Sequence, residues 1–510
     1  MRYVKMMEKL QGAATSPPTK QDSEGKCFKT RDNLLSILLT RNSVANSVLL
    51  LTGGTAIAQI LNIASMPILS RVYSPADFGV LALFTSLTGI LLEISNLRYY
   101  GAIPLPKKDA FADSLVLLSF IIQFVFISLM AIALFFARST LLGLVSSDLL
   151  MPYWVLIPLG IGAMGSYLIF SQWAIREQEF PLIAKTKLVQ SISGIMTKLF
   201  LGFWGLKPLG LLLGAIVSQA GGTISLGNRL VRKRGIPKAD LSRLKQVTIK
   251  YRKFPLFTTW QALLNSLGRH IAPFFLVAFW GPQVAGYFAF SLQILHLPAY
   301  FVGQAMSQVF VQRASVAKYQ GNLQETSRHF FKVLLLVGIF PILCLGLIAP
   351  QIFSIVFGPQ WHMAGVYARV LSPWVALSFI SSPLSVLFSI QNRQEVGLAF
   401  EVSFVLSRTS VLVFGTKLGD SLFVLTLFSG VNCFFLLLII IWLMAETGNR
   451  KGEIIYDLSK EWFRAIIFLF PVTLALLLKT SLLLSFLLIL IVGIMYVWVL
   501  NKELPGLLDF

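Results

Sequence analysis

Apolar runs of about twenty residues succeed one another along nearly the whole chain, separated by short polar turns. At about 1.5 Å of rise per residue, such a run makes a helix matching the hydrocarbon core of a bilayer, about 30 Å thick. The pattern predicts fourteen helices, at residues 44–69, 79–97, 114–137, 150–175, 182–204, 208–229, 255–280, 284–311, 333–357, 366–390, 397–414, 421–445, 465–479 and 481–500. Strands of a membrane barrel would instead alternate apolar and polar positions over about ten residues. The expected fold class is therefore an all-α polytopic membrane protein.

Composition removes the soluble alternative. Of 510 residues, 56% are hydrophobic and 13% charged, which leaves too little polar surface to cover a globule. The three cysteines, Cys27, Cys344 and Cys433, are far apart and lack metal-ligand or redox spacing, so no disulfide framework and no metal site is expected. A net charge of +21 would suggest nucleic acid in a soluble protein. In a membrane protein it records orientation, and no nucleic-acid partner is expected. Basic residues crowd the loops of one side, above all the segment from Arg229 to Lys253, while the opposite loops hold Arg71, Arg138, Lys207, Lys417 and Lys479. Because retained loops are the basic ones, both termini are expected in the cytoplasm. Residues 1–43 are polar, contain Ser16-Pro17-Pro18 and lack the apolar core of a secretory signal, so they read as a disordered cytoplasmic tail.

An internal repeat appears at an offset of 207 residues. Tyr73-Ser74-Pro75-Ala76-Asp77-Phe78-Gly79 matches Trp280-Gly281-Pro282-Gln283-Val284-Ala285-Gly286 as aromatic, small, Pro, three residues, Gly. In each copy Pro can start a helix after a tight turn and Gly permits close helix approach. The expected organisation is an N-terminal six-helix lobe at 44–230, a basic cytoplasmic linker at 231–254, a pseudo-symmetric six-helix lobe at 255–445, and two additional helices with a short tail at 446–510. Parallel repeats of this kind are a transporter architecture, with substrate held between halves that open alternately to either side.

The stretch Thr55-Ala56-Ile57-Ala58-Gln59-Ile60-Leu61-Asn62, the following Pro67-Ile68-Leu69-Ser70-Arg71-Val72-Tyr73-Ser74-Pro75-Ala76-Asp77-Phe78-Gly79, and the later Asn96-Leu97-Arg98-Tyr99-Tyr100-Gly101-Ala102-Ile103-Pro104-Leu105-Pro106 carry a family likeness. They resemble the opening of bacterial polysaccharide repeat-unit flippases, members of the multidrug, oligosaccharidyl-lipid and polysaccharide exporter superfamily. The resemblance implies a V-shaped pair of six-helix lobes with two extra C-terminal helices. It also implies movement of an undecaprenyl-diphosphate-linked oligosaccharide across the bacterial inner membrane, for O-antigen, lipopolysaccharide or another surface polysaccharide. Helices 1, 2, 7 and 8 would line the cavity. Membrane lipids and a polysaccharide polymerase with its export machinery are the implied partners, and no cofactor is implied.

Independently, ionisable residues in the middle of a span are costly in lipid and usually face a cavity or a partner. Arg269 lies eleven residues from Trp280 and fourteen from Pro255, too deep to snorkel easily. Gln261 and Asn265 precede it at intervals of four and share its helix face. On the repeat offset Arg269 corresponds to Asn62, which with Gln59 makes a smaller polar pair on the first span. These residues, with Arg98, are expected to bind substrate, and His270 lies beside Arg269 on another face. Span 8 adds a stripe of Gln293, His296, Tyr300, Gln304 and Gln308 around Pro298, suited to sugar hydroxyls or to a helix-packing seam. Glu93, His270, Glu401 and Arg408 are read as coupling or structural charges, the last two being too far apart along one helix for direct contact. Lys198 and Arg369 are expected to snorkel.

Arg269, with Arg98, would complement a diphosphate by charge-assisted hydrogen bonds, whereas a multidrug cation exporter would be expected to hold buried carboxylates. The chain lacks a Gly-rich loop ending in Gly-Lys-Ser or Gly-Lys-Thr, so nucleotide hydrolysis is not encoded. A membrane polymerase or glycosyltransferase would be expected to carry catalytic acids on a substantial external loop, and the longest one predicted is 138–149. A carrier that leaves its substrate chemically unchanged is therefore expected, with no catalytic residues. A small-molecule antiporter of the same superfamily and a non-transporting scaffold are the alternatives.

Overall fold

The computed structural model describes residues 53–143, 148–235, 240–415, 417, 419–478 and 482–504. The expected tail at 1–43, Cys27 and the first residues of the span expected at 44–69 lie outside them. The chain is all-helical among the described residues. Its first half contains α1 (Gly53–Val72), α2 (Pro75–Ser95), α3 (Asp109–Gly143), α4 (Leu156–Arg176), α5 (Phe180–Phe203), α6 (Leu209–Ala220) and α7 (Thr223–Arg234). A short α8 (Leu241–Lys250) leads to α9 (Thr259–Trp280), α10 (Pro282–Leu295), α11 (Gln304–Gln320), α12 (Leu323–Ile352), α13 (His362–Leu384), α14 (Val386–Ile390), α15 (Gln394–Gly415), α16 (Ser421–Glu446), α17 (Lys451–Leu477) and α18 (Leu482–Glu503). Nine helices or continuous helix pairs among the described residues are long and apolar enough to cross a membrane. The chain is a multi-pass membrane protein.

Several expected spans are interrupted, each with a local cause. The sixth breaks at Gly221-Gly222, where Gly222 takes φ +87° and its missing Cβ leaves room for Thr186. The eighth breaks around Pro298, where α10 ends at Leu295 and a single π turn at Ala299–Gly303 precedes α11. The thirteenth, expected at 465–479, starts at Lys451, because α17 extends the apolar run by charged turns that pair with neighbours. Part of the basic linker is also helical. Asp240 caps α8 by accepting from the backbone N–H of Ser242 and Arg243, and Val247 is wholly buried.

The two copies of the repeated motif meet. Ser74 and Asp77 form a capping box that starts α2 at Pro75, and α10 starts at Pro282 after Gly281 at φ +86°. Gly79 lies directly under the Pro282 carbonyl, Gly286 lies under the Pro75 carbonyl, and a Cβ at either glycine would overlap that oxygen. Beside this contact Phe78 sits edge-on to Phe290 and to Trp361, with ring centroids 5.3 and 5.1 Å away, and Phe290 stacks on Trp361 at 4.0 Å. The Ser70 carbonyl accepts from Gln360 Nε2 at 2.7 Å and Trp361 Nε1 at 2.9 Å, and Ser70 Oγ donates to the Phe357 carbonyl at 3.1 Å. This end of the molecule is sealed by aromatic packing and main-chain hydrogen bonds.

Ion pairs gather at the other end. Arg234 pairs with Glu177 and Asp109, Arg176 also reaches Asp109, and Lys233 pairs with Glu179. Arg328 pairs with Glu453 and Asp457, and Arg393 with Glu446.

Candidate functional site

A cavity of about 540 Å³ opens between α2, α9 and the chain from the end of α13 into α15. Its polar lining includes Gln261, Asn265 and Arg269 of α9, Glu93 and Arg98 at the end of α2, and Glu401 of α15. Thr258, Ser385, Ser389 and Gln394 complete it. The i, i+4, i+8 spacing on α9 thus becomes one wall, because a helix stacks such positions on one face.

Arg98 is placed by an unusual turn. Leu97 and Arg98 adopt φ +48° and +56°, a left-handed conformation that costs about 1–3 kcal/mol for residues with a side chain. Buried Asn96 supports it by accepting from the Arg98 backbone N–H at 3.2 Å. Arg98 NH1 then pairs with Glu93 at 2.9 Å while its guanidinium lies 5.8 Å from the Tyr100 ring centroid. Across the cavity Asn265 Nδ2 donates to Glu401 Oε1 at 3.2 Å. Arg269 is exposed and makes no hydrogen bond or ion pair with any described residue.

The formal charges of the lining balance, Arg98 and Arg269 against Glu93 and Glu401, which leaves a locally positive spot at Arg269. Glu93 is neutralised by Arg98, and Glu401 has an amide donor. A guanidinium without a carboxylate, next to side-chain amides, can make charge-assisted hydrogen bonds to an anion.

Other residues singled out in the sequence lie elsewhere. Arg408 is buried, donating from Nε to Asn432 Oδ1 and from NH1 to the Gly268 carbonyl, each at 2.6 Å, with its guanidinium 3.7 Å from the Phe404 ring centroid. It ties α15 to α16 and to the back of α9. His270 Nε2 faces Gly89 of α2 closely, and neighbouring Ser266 donates to the Gly89 carbonyl at 3.3 Å. Both are packing groups of the wall behind Arg269. Gln59, Asn62, His296 and Tyr300 are not among the lining residues, and His296 and Tyr300 lie near each other with ring centroids 6.4 Å apart. Gln293 donates to Met66 Sδ at 3.5 Å, and the side chain of Gln304 lies outside the described residues. Arg369 donates to the Leu347 carbonyl at 2.9 Å instead of simply reaching for water. Ser385 and Ser389 gave no signal in the sequence, since lone hydroxyls are common in membrane helices and hydropathy does not say which helices face one another.

This architecture, an all-helical multi-pass chain with a polar cavity closed at one end by its own internal repeat, is a fold found in solved membrane proteins. It is similar to a structure of the lipid II flippase MurJ in an inward closed conformation, with a TM-score of 0.71 and 15% identity, covering 90% of this chain and 100% of that one. It is also similar to an inward-facing multidrug resistance MATE family transporter, with a TM-score of 0.53 and 15% identity over 78% of this chain and 94% of that one. Within that fold the chain belongs to the polysaccharide biosynthesis protein family, whose model matches residues 68–365. It is 22% identical over 362 residues to an uncharacterized membrane protein in the cps region of Klebsiella pneumoniae, covering 70% of this chain and 73% of that one.

Proposed function

We propose that the protein carries an undecaprenyl-diphosphate-linked oligosaccharide across the bacterial inner membrane by alternating access, for cell-surface polysaccharide synthesis. The observation that carries this reading is Arg269, set in the cavity wall with Asn265 and Gln261 and paired with no described carboxylate. In this scheme the diphosphate takes up the Arg269 guanidinium, amides and hydroxyls of the cavity meet the sugars, and the polyprenyl tail stays in lipid. Residues 44–230 and 255–445 act as the two moving lobes around the basic linker, with both termini in the cytoplasm, as the distribution of Lys and Arg favours. The cavity then opens toward the cytoplasm, and the seal at Gly79 and Gly286 is external. Membership of the polysaccharide biosynthesis family and the capsule-region relative support a glycan cargo. A polysaccharide polymerase and export machinery would receive it.

The test is translocation of a labelled polyprenyl-diphosphate oligosaccharide in proteoliposomes. Arg269→Ala and Arg269→Glu should lose transport at unchanged protein content, and Arg269→Lys should retain part of it. Full transport by Arg269→Glu would remove the diphosphate reading.

A second reading, export of an organic cation, is favoured by Glu93 and Glu401 in the same cavity. Both carboxylates are already engaged, by Arg98 and Asn265, so the anion is preferred. Drug-cation efflux abolished by Glu401→Gln but not by Arg269→Ala would reverse that preference.

A further inference from the structure

A second cavity, of about 320 Å³, lies away from the first, where α12, α17 and α18 converge. We propose that it binds the head group of a zwitterionic phospholipid that carries a phosphate diester and a primary ammonium, as phosphatidylethanolamine does. The inference does not rest on the proposed transport activity.

The lining is chemically divided. Asp457, Glu461 and Glu503 supply carboxylates, Lys332 and Lys460 supply ammonium groups, and Leu335 and Leu336 form an apolar wall. Asp457 and Glu461 are 7% and 9% exposed, so charges this deep need donors around them. Part of that need is met inside the protein. Arg328 reaches Asp457 at 3.4 Å, Lys332 reaches it at 3.9 Å, and Arg464 bridges Glu461 at 3.1 Å and Glu503 at 2.9 Å. A carboxylate offers about four lone-pair sites, and the single bond to Glu461 is to Oε2, so acceptor capacity remains on the cavity side. Lys460 is exposed and makes no ion pair with a described residue.

With Arg464, Arg328 and the Glu453 that Arg328 also pairs with counted, four carboxylates face four cations, so the site is neutral overall, and Lys460 is the cation left without an ion pair to a described carboxylate. A zwitterion whose phosphate meets Lys460 and whose ammonium takes the remaining acceptor positions of the carboxylates satisfies both. A purely anionic head would leave those remaining acceptor positions unanswered, and a choline head has no N–H to donate to them.

The depth is right for a lipid head. Trp462 adjoins Glu461, and Trp498, 65% exposed with Lys502 Nζ 5.5 Å from its ring centroid, lies near Glu503 at the end of α18. Tryptophan with a flanking lysine marks the membrane–water interface. From there α17 exposes Phe463, Ile466, Ile467 and Phe470 and α18 exposes Leu490 and Ile494, a surface along which acyl chains can lie. A lipid seated here would fasten the two final helices to α12.

The test uses the full chain, purified in detergent and stripped of lipid. Native mass spectrometry and thermal unfolding are followed on adding phosphatidylethanolamine, phosphatidylglycerol or phosphatidylcholine. The expected result is one retained phosphatidylethanolamine and a rise in Tm with that lipid exceeding the rise with the other two. Lys460→Ala should weaken apparent binding about tenfold, as loss of one charge-assisted contact would. Lys451→Ala, at the exposed start of the same helix, should leave the preference intact. Equal shifts with all three lipids, a preference for phosphatidylglycerol, or no retained lipid and no shift would each overturn the proposal. If Lys460→Ala does not fold, Glu503→Gln replaces it and is expected to reduce the preference in the same way.

Discussion

Gly79 of α2 and Gly286 of α10 occupy equivalent places in the two copies of one motif, and each is covered by the proline carbonyl that opens the other copy's helix. The repeat seen as a spacing in the sequence is thus a self-complementary joint. It places the starts of α2 and α10 so close that a methyl group at either glycine overlaps main-chain oxygen.

Gly79→Ala and Gly286→Ala should therefore each lower stability by about 1–3 kcal/mol, the usual cost of overpacking a close contact. Thermal unfolding of the purified variants checks this. Because both act at one joint, the double variant should depart from the sum of the single effects.

Arg408 donates to Gly268 and Asn432 from within the protein. Arg408→Ala would leave buried Asn432 Oδ1 without its donor, at about 1–3 kcal/mol, and take the second donor from the Gly268 carbonyl, so a marked fall in Tm or in folded yield is expected. Arg408→Lys should not restore stability, because one ammonium cannot reproduce the planar fork. Neither loss should depend on substrate, which separates this residue from Arg269.

The Ser70 carbonyl receives two donors, Gln360 and Trp361. Trp361→Phe keeps most of the ring packing and removes the N–H, so about 1 kcal/mol should be lost. Adding Gln360→Ala removes the second donor, and the combined loss should exceed the sum of the two single losses. Chemical or thermal unfolding in detergent measures the coupling.

Asn265 holds Glu401 at 3.2 Å in the cavity wall. Asn265→Ala frees that carboxylate beside Arg269 and should raise the apparent KM for a diphosphate-linked cargo, whereas Glu401→Gln should leave it unchanged or lower it. Initial rates in proteoliposomes over a range of cargo concentrations distinguish the two.

Much of this was legible in the sequence. Continuous apolar runs located the helices, because no other structure hides its main-chain polar groups within lipid. Gln261, Asn265 and Arg269 announced a shared face through helical spacing alone. What hydropathy could not reveal was which helices meet, and so Ser385 and Ser389 came to the cavity unannounced, Glu401 proved to face it, and Gln59, Asn62, His296 and Tyr300 did not line it. The charged start of α17 was missed for a related reason: its turns make ion pairs with α12, which leave no hydrophobic trace. The balance of charge in the cavity depends on Glu93 and Glu401, which reach it from other helices than Arg269.

The ion pairs at the basic end join residues of the same half of the chain, while most of the hydrogen bonds described between the halves, and both glycine contacts, lean on backbone oxygens of Ser70, Phe357, Gly89, Pro75 and Pro282. A carbonyl survives any replacement of its own side chain. Half of each of these bonds is therefore immune to mutation, and the exposed faces and the cavity wall are left free to diverge without loosening this part of the way the two halves meet.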